Sequence, residues 1–83
     1  MFRIDTIAGT AAVAEEELTL DYHPVAIKIF NDDDTDDIEI SGGVNVTVKA
    51  GEDTPWLECP PSKTITVAAS ANTPAYRITY KSV

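Results

Sequence analysis

The sequence predicts an all-β fold, a small antiparallel β-sandwich or partly open barrel of about six to eight short strands. Its composition is rich in β-branched residues, with eight Ile, seven Val and ten Thr against three Leu in 83 residues. Branching at Cβ restricts the side chain and suits a pleated strand better than a helix. Apolar and polar residues also alternate with a period of two in several short runs, which is typical of strands with one buried face.

The runs follow one another along the chain, separated by segments rich in Gly, Pro, Asn and Asp. The residues predicted on the buried faces are Leu18, Leu20 and Tyr22; Ile38 and Ile40; Val44, Val46 and Val48; Ile65 and Val67; Tyr76, Ile78 and Tyr80. Residues 25–30 differ because Ala26 and Phe30 are apolar on the face opposite Ile27 and Ile29. That pattern predicts a central strand covered on both sides.

Two segments near the N-terminus are predicted outside the sheets. Residues 8–10 contain Gly9 and are expected to form a turn. Residues 10–17 are the one candidate helix, with Thr10 as N-cap, although three Glu at its C-terminal end oppose the helix dipole. The prediction is therefore a single β domain over residues 1–83 with at most one short helix, in which residues 1–9 could serve as an N-terminal arm.

Charge narrows the classes of partner. Fourteen Asp and Glu against six Lys and Arg give a net charge of -8. Such a chain is poorly suited to bind nucleic acid phosphates or an anionic membrane surface. It remains suited to a basic protein surface, a neutral ligand such as a sugar, or a hard cation.

Motifs typical of catalysis are missing from the sequence. There is no Gly-rich phosphate loop and no Gly-x-Ser-x-Gly elbow. His23 and Cys59 are each unique, and both are interpreted as structural, although a Cys–His dyad is conceivable. The chain is therefore predicted not to be an enzyme.

An acidic run over residues 31–37 is the most distinctive motif. Asp32, Asp34 and Asp36 have the alternate spacing with which one loop can direct several oxygens at Ca²⁺. The EF-hand pattern fails, because its Gly and Glu positions hold Asp37 and Gly43. A solvated hairpin loop kept extended by like charges is the favoured interpretation, with a Ca²⁺ site or a docking loop for a basic partner as alternatives.

Four apolar residues are the candidates for contact with a partner protein. Phe2, Ile4 and Ile7 would form an arm that docks on, or adds a strand to, a neighbouring subunit. Trp56, the only Trp, is expected in the core or at a subunit interface, with a sugar-stacking platform as the alternative.

The second half of the chain resembles small all-β structural proteins of tailed-bacteriophage virions, in particular capsid decoration (cement) proteins. The resemblance spans residues 44–80 and rests on VNVTVKAGE at 44–52, Pro55-Trp56, TITV at 64–67 and YRITY at 76–80. It implies a non-enzymatic protein without a cofactor that is made in the host cytoplasm and resides in the virion. It also implies a homo-trimer or homo-dimer that binds the major capsid protein or another virion protein and bridges capsid subunits.

Two other functions fit the residues. One is a small carbohydrate-binding or Ca²⁺-dependent module that uses Trp56 and the acidic run. The other is an acidic inhibitor that mimics nucleic acid and blocks a basic groove.

Overall fold

Eight β-strands, paired throughout in antiparallel fashion, make up the fold. The computed structural model describes residues 3–42, 44–58 and 63–82, and within these ranges it contains no helix. The prediction of a small all-β fold is confirmed. The strands are β1 (Arg3–Thr10), β2 (Glu16–Thr19), β3 (Ala26–Asn31), β4 (Ile38–Ser41), β5 (Val46–Val48), β6 (Leu57–Glu58), β7 (Thr64–Ala69) and β8 (Ala75–Ser82).

The strands form two four-stranded sheets, so the sandwich is the correct alternative of the two that the sequence left open. Sheet A has the order β1-β8-β3-β6, and sheet B has the order β2-β7-β4-β5. Apart from β4 and β5, which are neighbours in sheet B, successive strands cross from one sheet to the other. Eight strands in this order form a jelly roll, the double Greek-key version of a β-sandwich.

Side chains from the inward faces of both sheets fill one core. It contains most of the inward residues of the alternating runs, because successive side chains of a strand point to opposite faces. The predicted residues Leu18, Tyr22, Val44 and Val46 are partly buried and pack against this core. Sheet B contributes most of the aliphatic residues, and the long central strand β8 contributes two Tyr and an Ile. The core residues are Ala11, Leu20, Ile27, Ile29, Ile38, Ile40, Val48, Ile65, Val67, Ala69, Tyr76, Ile78 and Tyr80.

Strand β3 is central, as its two apolar faces predict. It lies between β8 and β6 in sheet A, and its inward residues Ile27 and Ile29 are fully buried. Its outward residue Ala26 is only 5% exposed, although no third layer of backbone covers this face in the described part of the chain.

The predictions for residues 8–17 are wrong. Gly9 and Thr10 continue β1, and Glu16 begins β2, so residues 10–17 do not form a helix. The connecting backbone instead bonds to the connection between β7 and β8 and to sheet B, since Ala11 N donates to Pro74 O at 2.9 Å and Ala69 N of β7 donates to Ala12 O at 2.7 Å. These tertiary bonds outweigh the helix propensity of an Ala- and Glu-rich segment, which is a weak preference.

Gly9 lies within a strand, where its cross-strand neighbour leaves little room for a side chain. A Cβ atom at this position would lie 3.1 Å from the hydroxyl oxygen of Tyr76. Gly9 and Tyr76 are directly paired across β1 and β8. A Gly that signals a turn by composition thus marks a close approach between strands.

Residues 3–9 of the segment considered as an N-terminal arm belong to β1, which is paired along its length with β8, from Arg3 opposite Ser82 to Thr10 opposite Ala75. Phe2 lies outside the described residues. None of the described residues forms a helix long and apolar enough to cross a membrane.

Candidate interaction surface

The outward face of sheet A brings two of the four candidate contact residues to one surface. Directly paired residues of neighbouring strands lie on the same face of a sheet. One row of such pairs crosses all four strands, in the order Ile4, Lys81, Ala26, Glu58. Trp56 immediately precedes β6 and therefore lies at the far edge of the same sheet.

Trp56 lies on the surface beside β3. Its ring centroid is 4.5 Å from Lys81 Nζ, a cation–π distance. Ala26 lies between Lys81 and β6 in the row, so the contact between Lys81 and Trp56 spans the strand that carries Ala26. Trp56 itself remains 40% exposed, so it is a surface residue and not a core plug.

Exposed apolar side chains are concentrated at this end of sheet A. Ile4 is 59% exposed, and Val25, which directly precedes β3, is 39% exposed. We refer to Ile4 and Trp56, which share the outward face, as the sheet A patch; Val25 precedes the outward residue Ala26 by one position and is not counted in it. Ile7 has the opposite orientation, because it pairs with the inward residue Ile78 and packs against the core.

Cationic and aromatic side chains alternate along the rest of this face. The Arg77 guanidinium carbon lies 4.5 Å from the Phe30 ring centroid, and Lys28 Nζ lies 5.5 Å from it. Arg77, Lys28 and Lys81 are three of the six Lys and Arg in the chain. The outward face of sheet A is therefore the least acidic surface built from paired strands.

Sheet B has an outward face of opposite character. Its paired outward positions carry two acids, Glu17 and Glu39, and no base, among hydroxyl-bearing residues. A depression of about 400 Å³ lies on this face, lined by Glu15, Glu39, Ile40, Ser41, Asn45, Val46, Thr47 and Ala68. It contains neither His nor Cys, and nothing in its lining forms a nucleophile–base pair.

The four sheet edges differ greatly in length. The outer strands β2, β5 and β6 contain four, three and two residues, whereas β1 contains eight. Short edge strands offer few unpaired backbone groups to a neighbouring chain, and a long edge offers many. The composition of residues 3–10 had not identified this strand, because Arg3 and Asp5 occupy inward positions and break the apolar alternation.

Arg3 and Asp5 fasten the beginning of β1 to the end of the sandwich. The Arg3 guanidinium carbon lies 4.2 Å from the Tyr22 ring centroid, and the Tyr22 ring packs 5.0 Å from that of Tyr80. Burial raises the pKa of Tyr22, and the neighbouring Asp5 carboxylate raises it further. These contacts give two charged inward residues a defined place at the edge of the sheet.

The acidic run forms a folded loop between β3 and β4, that is, between the two sheets. It was expected to be an extended hairpin loop, and that prediction is wrong. Asn31 is 3% exposed, and its Nδ2 donates to Asp36 O at 2.9 Å and to Val48 O at 3.0 Å. Its Oδ1 accepts from Asp33 N at 3.0 Å, so one buried amide connects the loop to both sheets.

A second set of bonds tightens the tip of the loop. Asp33 Oδ2 accepts from the backbone N–H groups of Thr35 and Asp36, at 3.0 and 2.8 Å. Asp37 Oδ1 accepts from Ala50 N at 3.1 Å. Backbone donors thus take up carboxylate charge that would otherwise drive the loop apart.

The three Asp residues considered as Ca²⁺ ligands have different partners. Both carboxylate oxygens of Asp32 accept from Arg77, at 2.8 and 3.0 Å, and this bidentate pair lowers the pKa of Asp32. Asp34 accepts from the Thr35 hydroxyl, and Asp36 accepts from the side-chain amide of Asn72. Within residues 3–42, 44–58 and 63–82, no three His, Cys, Asp or Glu form a group that could hold a metal ion.

One of the two residues considered for a Cys–His dyad lies within the described part of the chain. His23 is exposed in the connection between β2 and β3. Cys59 lies outside the described residues.

Comparison with known proteins identifies the fold and no family. No family model matches the chain, and neither does any curated protein. Among solved structures, the chain is similar to one from Bacillus endospore appendages, which are described as a novel family of disulfide-linked pili. The TM-score is 0.62 at 22% identity, over 98% of this chain and 85% of the other. It is also similar to a de novo designed double-stranded β-helix, with a TM-score of 0.56 at 18% identity, over 96% of this chain and 99% of the design.

Proposed function

We propose that the chain is a non-enzymatic structural subunit, and specifically a capsid decoration protein of a tailed bacteriophage. It would be made in the host cytoplasm and bind the major capsid protein, or another virion protein, in the virion. Neither a cofactor nor nucleic acid nor a membrane has a part in this function. The observation that carries the proposal is the sheet A patch, where Ile4 and Trp56 are exposed on one face.

The patch has the composition of a protein-binding surface. Aromatic residues are enriched at the centres of interfaces, and a Trp there often contributes a large share of the binding energy. Trp56 already packs against Lys81, so less side-chain entropy is lost when a partner covers it. Lys81 lies on the same face beside Trp56, whereas Lys28 is paired with Asp53 at 3.7 Å.

The similarity to the endospore appendage structure supports a structural role in general, but disulfide linkage is a difference. A jelly roll from endospore appendages belongs to an assembly described as disulfide-linked pili. A continuous disulfide-linked polymer requires at least two Cys per subunit, and these 83 residues contain one. Attachment to a shell that other subunits have already built does not require two Cys per subunit.

The experiment is co-sedimentation with empty capsids that lack the protein, using a double variant, Ile4→Ser with Trp56→Ala. We expect the affinity for capsids to fall at least about tenfold, as for the loss of an interface hot spot. Val13→Ser is the matched control, because Val13 is 64% exposed but lies in the connection between β1 and β2, outside the patch. Its affinity should remain within about twofold of wild type.

Two results would contradict the proposal. One is unchanged binding by the double variant. The other is an equal loss of binding by Val13→Ser. Circular dichroism of all three proteins checks that the sandwich remains folded.

A further inference from the structure

Another strand can pair with the free edge of β1 along its whole length only if it has as many residues as β1. Among the described strands only β8 also has eight residues, and it lies inside sheet A, between β1 and β3. The other edges, with two to four residues, would leave half or more of β1 unpaired. The long strand that is both accessible and matched in length is β1 of a second copy.

We infer that two copies pair through β1, antiparallel about a two-fold axis, and form one eight-stranded sheet. The strand order would be β6-β3-β8-β1 in one copy, continued by the reverse order in its partner. This deepens the proposed function by naming the homo-oligomer, a dimer, and the strand that forms it. Closed two-fold contacts of this kind are the most common in soluble oligomers.

The side chains of β1 rule out one register, and we take the register centred on Thr6, which avoids contact between like charges. Because successive side chains alternate between the two faces, two residues can lie opposite each other on one face only if both numbers are even or both are odd. A two-fold centred on Asp5 would place two carboxylates in contact, which is destabilising. A two-fold centred on Thr6 pairs Ile4 with Ala8 of the partner on the outward face, and no charge faces a like charge.

Charge favours this edge over the rest of the surface. Each copy has a net charge of -8, so two copies repel each other at long range. Strand β1 carries one cation, Arg3, and one acid, Asp5, and it borders the face that holds Lys81 and Arg77. Repulsion between copies is therefore weakest where the two β1 strands meet, and added salt should strengthen the dimer.

The area of the contact sets its strength. Seven paired residues span about 24 Å, and a strip about 10 Å deep buries about 250 Å² per partner. A standard interface buries about 800 Å² per partner. The dimer is therefore weak in solution and gains strength where both copies are held on one surface.

Pairing through β1 would also let the dimer attach to one surface through both of its copies. A two-fold axis between antiparallel strands runs perpendicular to the sheet, so the outward faces of both copies lie on the same side. Both sheet A patches would then face one surface together. Bivalent attachment raises the apparent affinity without any new contact.

The test is sedimentation equilibrium of Thr6→Lys from 10 µM to about 1 mM, a range chosen for a weak dimer of this area. In the proposed register two Lys would lie directly opposite each other, and the dimer dissociation constant should rise at least about tenfold. An equimolar mixture of Thr6→Lys and Thr6→Glu should recover the dimer, which also shows that both variants are folded.

Thr79→Lys is the matched control. Thr6 Oγ1 and Thr79 Oγ1 are hydrogen-bonded at 3.0 Å, so each substitution removes the same bond and adds the same charge. Thr79 lies one strand in from the edge, on β8, and its variant should dimerise within about threefold of wild type. A wild-type protein that stays monomeric at about 1 mM, or an equal loss in Thr79→Lys, would overturn the inference.

The outcome is separable from that of the proposed function. A monomer that binds capsids through Ile4 and Trp56 leaves the proposed function intact and removes only the dimer. A dimer that does not bind capsids removes the proposed function and leaves the dimer.

Discussion

Replacing Asn31 by Ala tests whether one buried side chain holds the acidic loop to the sandwich. The substitution removes two donated hydrogen bonds and one accepted bond, to Asp36 O, Val48 O and Asp33 N. A hydrogen bond contributes about 1 kcal/mol net, and a buried group left without a partner costs more. We therefore expect the free energy of unfolding to fall by about 3 kcal/mol, which lowers Tm by about 15 °C in a domain of this size.

The assay is urea unfolding, followed by Trp56 fluorescence and by far-ultraviolet circular dichroism. Asn45→Ala is the matched control, because Asn45 is exposed and its loss should change stability by less than about 0.5 kcal/mol. A loss below about 1 kcal/mol for Asn31→Ala would refute the argument, since it would mean that the loop keeps its contacts without the amide. Asn31→Asp should be at least as destabilising at neutral pH, because a carboxylate there would face two carbonyl oxygens.

Three further predictions concern the core, the ion pair and the calcium hypothesis. Ile78→Ala, at a fully buried position in β8, should lower the free energy of unfolding by about 2–5 kcal/mol in the same urea assay. Asp32 has a lowered pKa in the folded protein, so its pair with Arg77 stabilises the fold above the unfolded pKa of 3.8 and is lost as pH falls through the folded pKa. The stability difference between wild type and Asp32→Asn, measured against pH, should therefore shrink below about pH 4, and a difference that grows there would contradict the assignment. Because Arg77 occupies both Asp32 oxygens, Ca²⁺ at about 5 mM should leave Tm unchanged, whereas a rise of several degrees would favour the Ca²⁺-dependent module.

The alternating runs predicted most of the core because each of those strands has one apolar face and one polar face. The inward residues Ile38, Ile40, Ile65 and Val67 are buried as expected. The central position of β3 was also predictable, since Ala26 and Phe30 are apolar on its second face. What alternation could not reveal is that the Trp56 ring contacts Lys81, because this contact joins residues 25 positions apart.

The N-terminal third was predicted poorly, and the reasons are physical. Arg3 and Asp5 are charged residues on an inward face, but both remain exposed to solvent at the open end of the sandwich, where Arg3 packs on the Tyr22 ring. Gly9 has the composition of a turn but accommodates the Tyr76 hydroxyl. Each misleading signal is a local preference that a partner distant in sequence overrides.

The acidic loop, residues 31–37, shows the same limit of prediction from the sequence. The spacing of its Asp residues suggested a set of converging oxygens, and the charges suggested an extended chain. The decisive residue is Asn31, a polar side chain at an inward position of β3, where an apolar residue would continue the pattern. A polar residue at the end of an alternating run is a usable signal for an anchored loop, because a buried amide must find partners.

The most direct test of the structural role is the number of copies bound per capsid at saturation. Purified protein is titrated onto empty capsids, and the pelleted ratio to the major capsid protein is measured by densitometry. The account predicts a plateau at a fixed ratio, reached by wild type and by Val13→Ser at similar concentrations. Pelleting no greater than that of the protein alone, or binding that rises without a plateau, would contradict it.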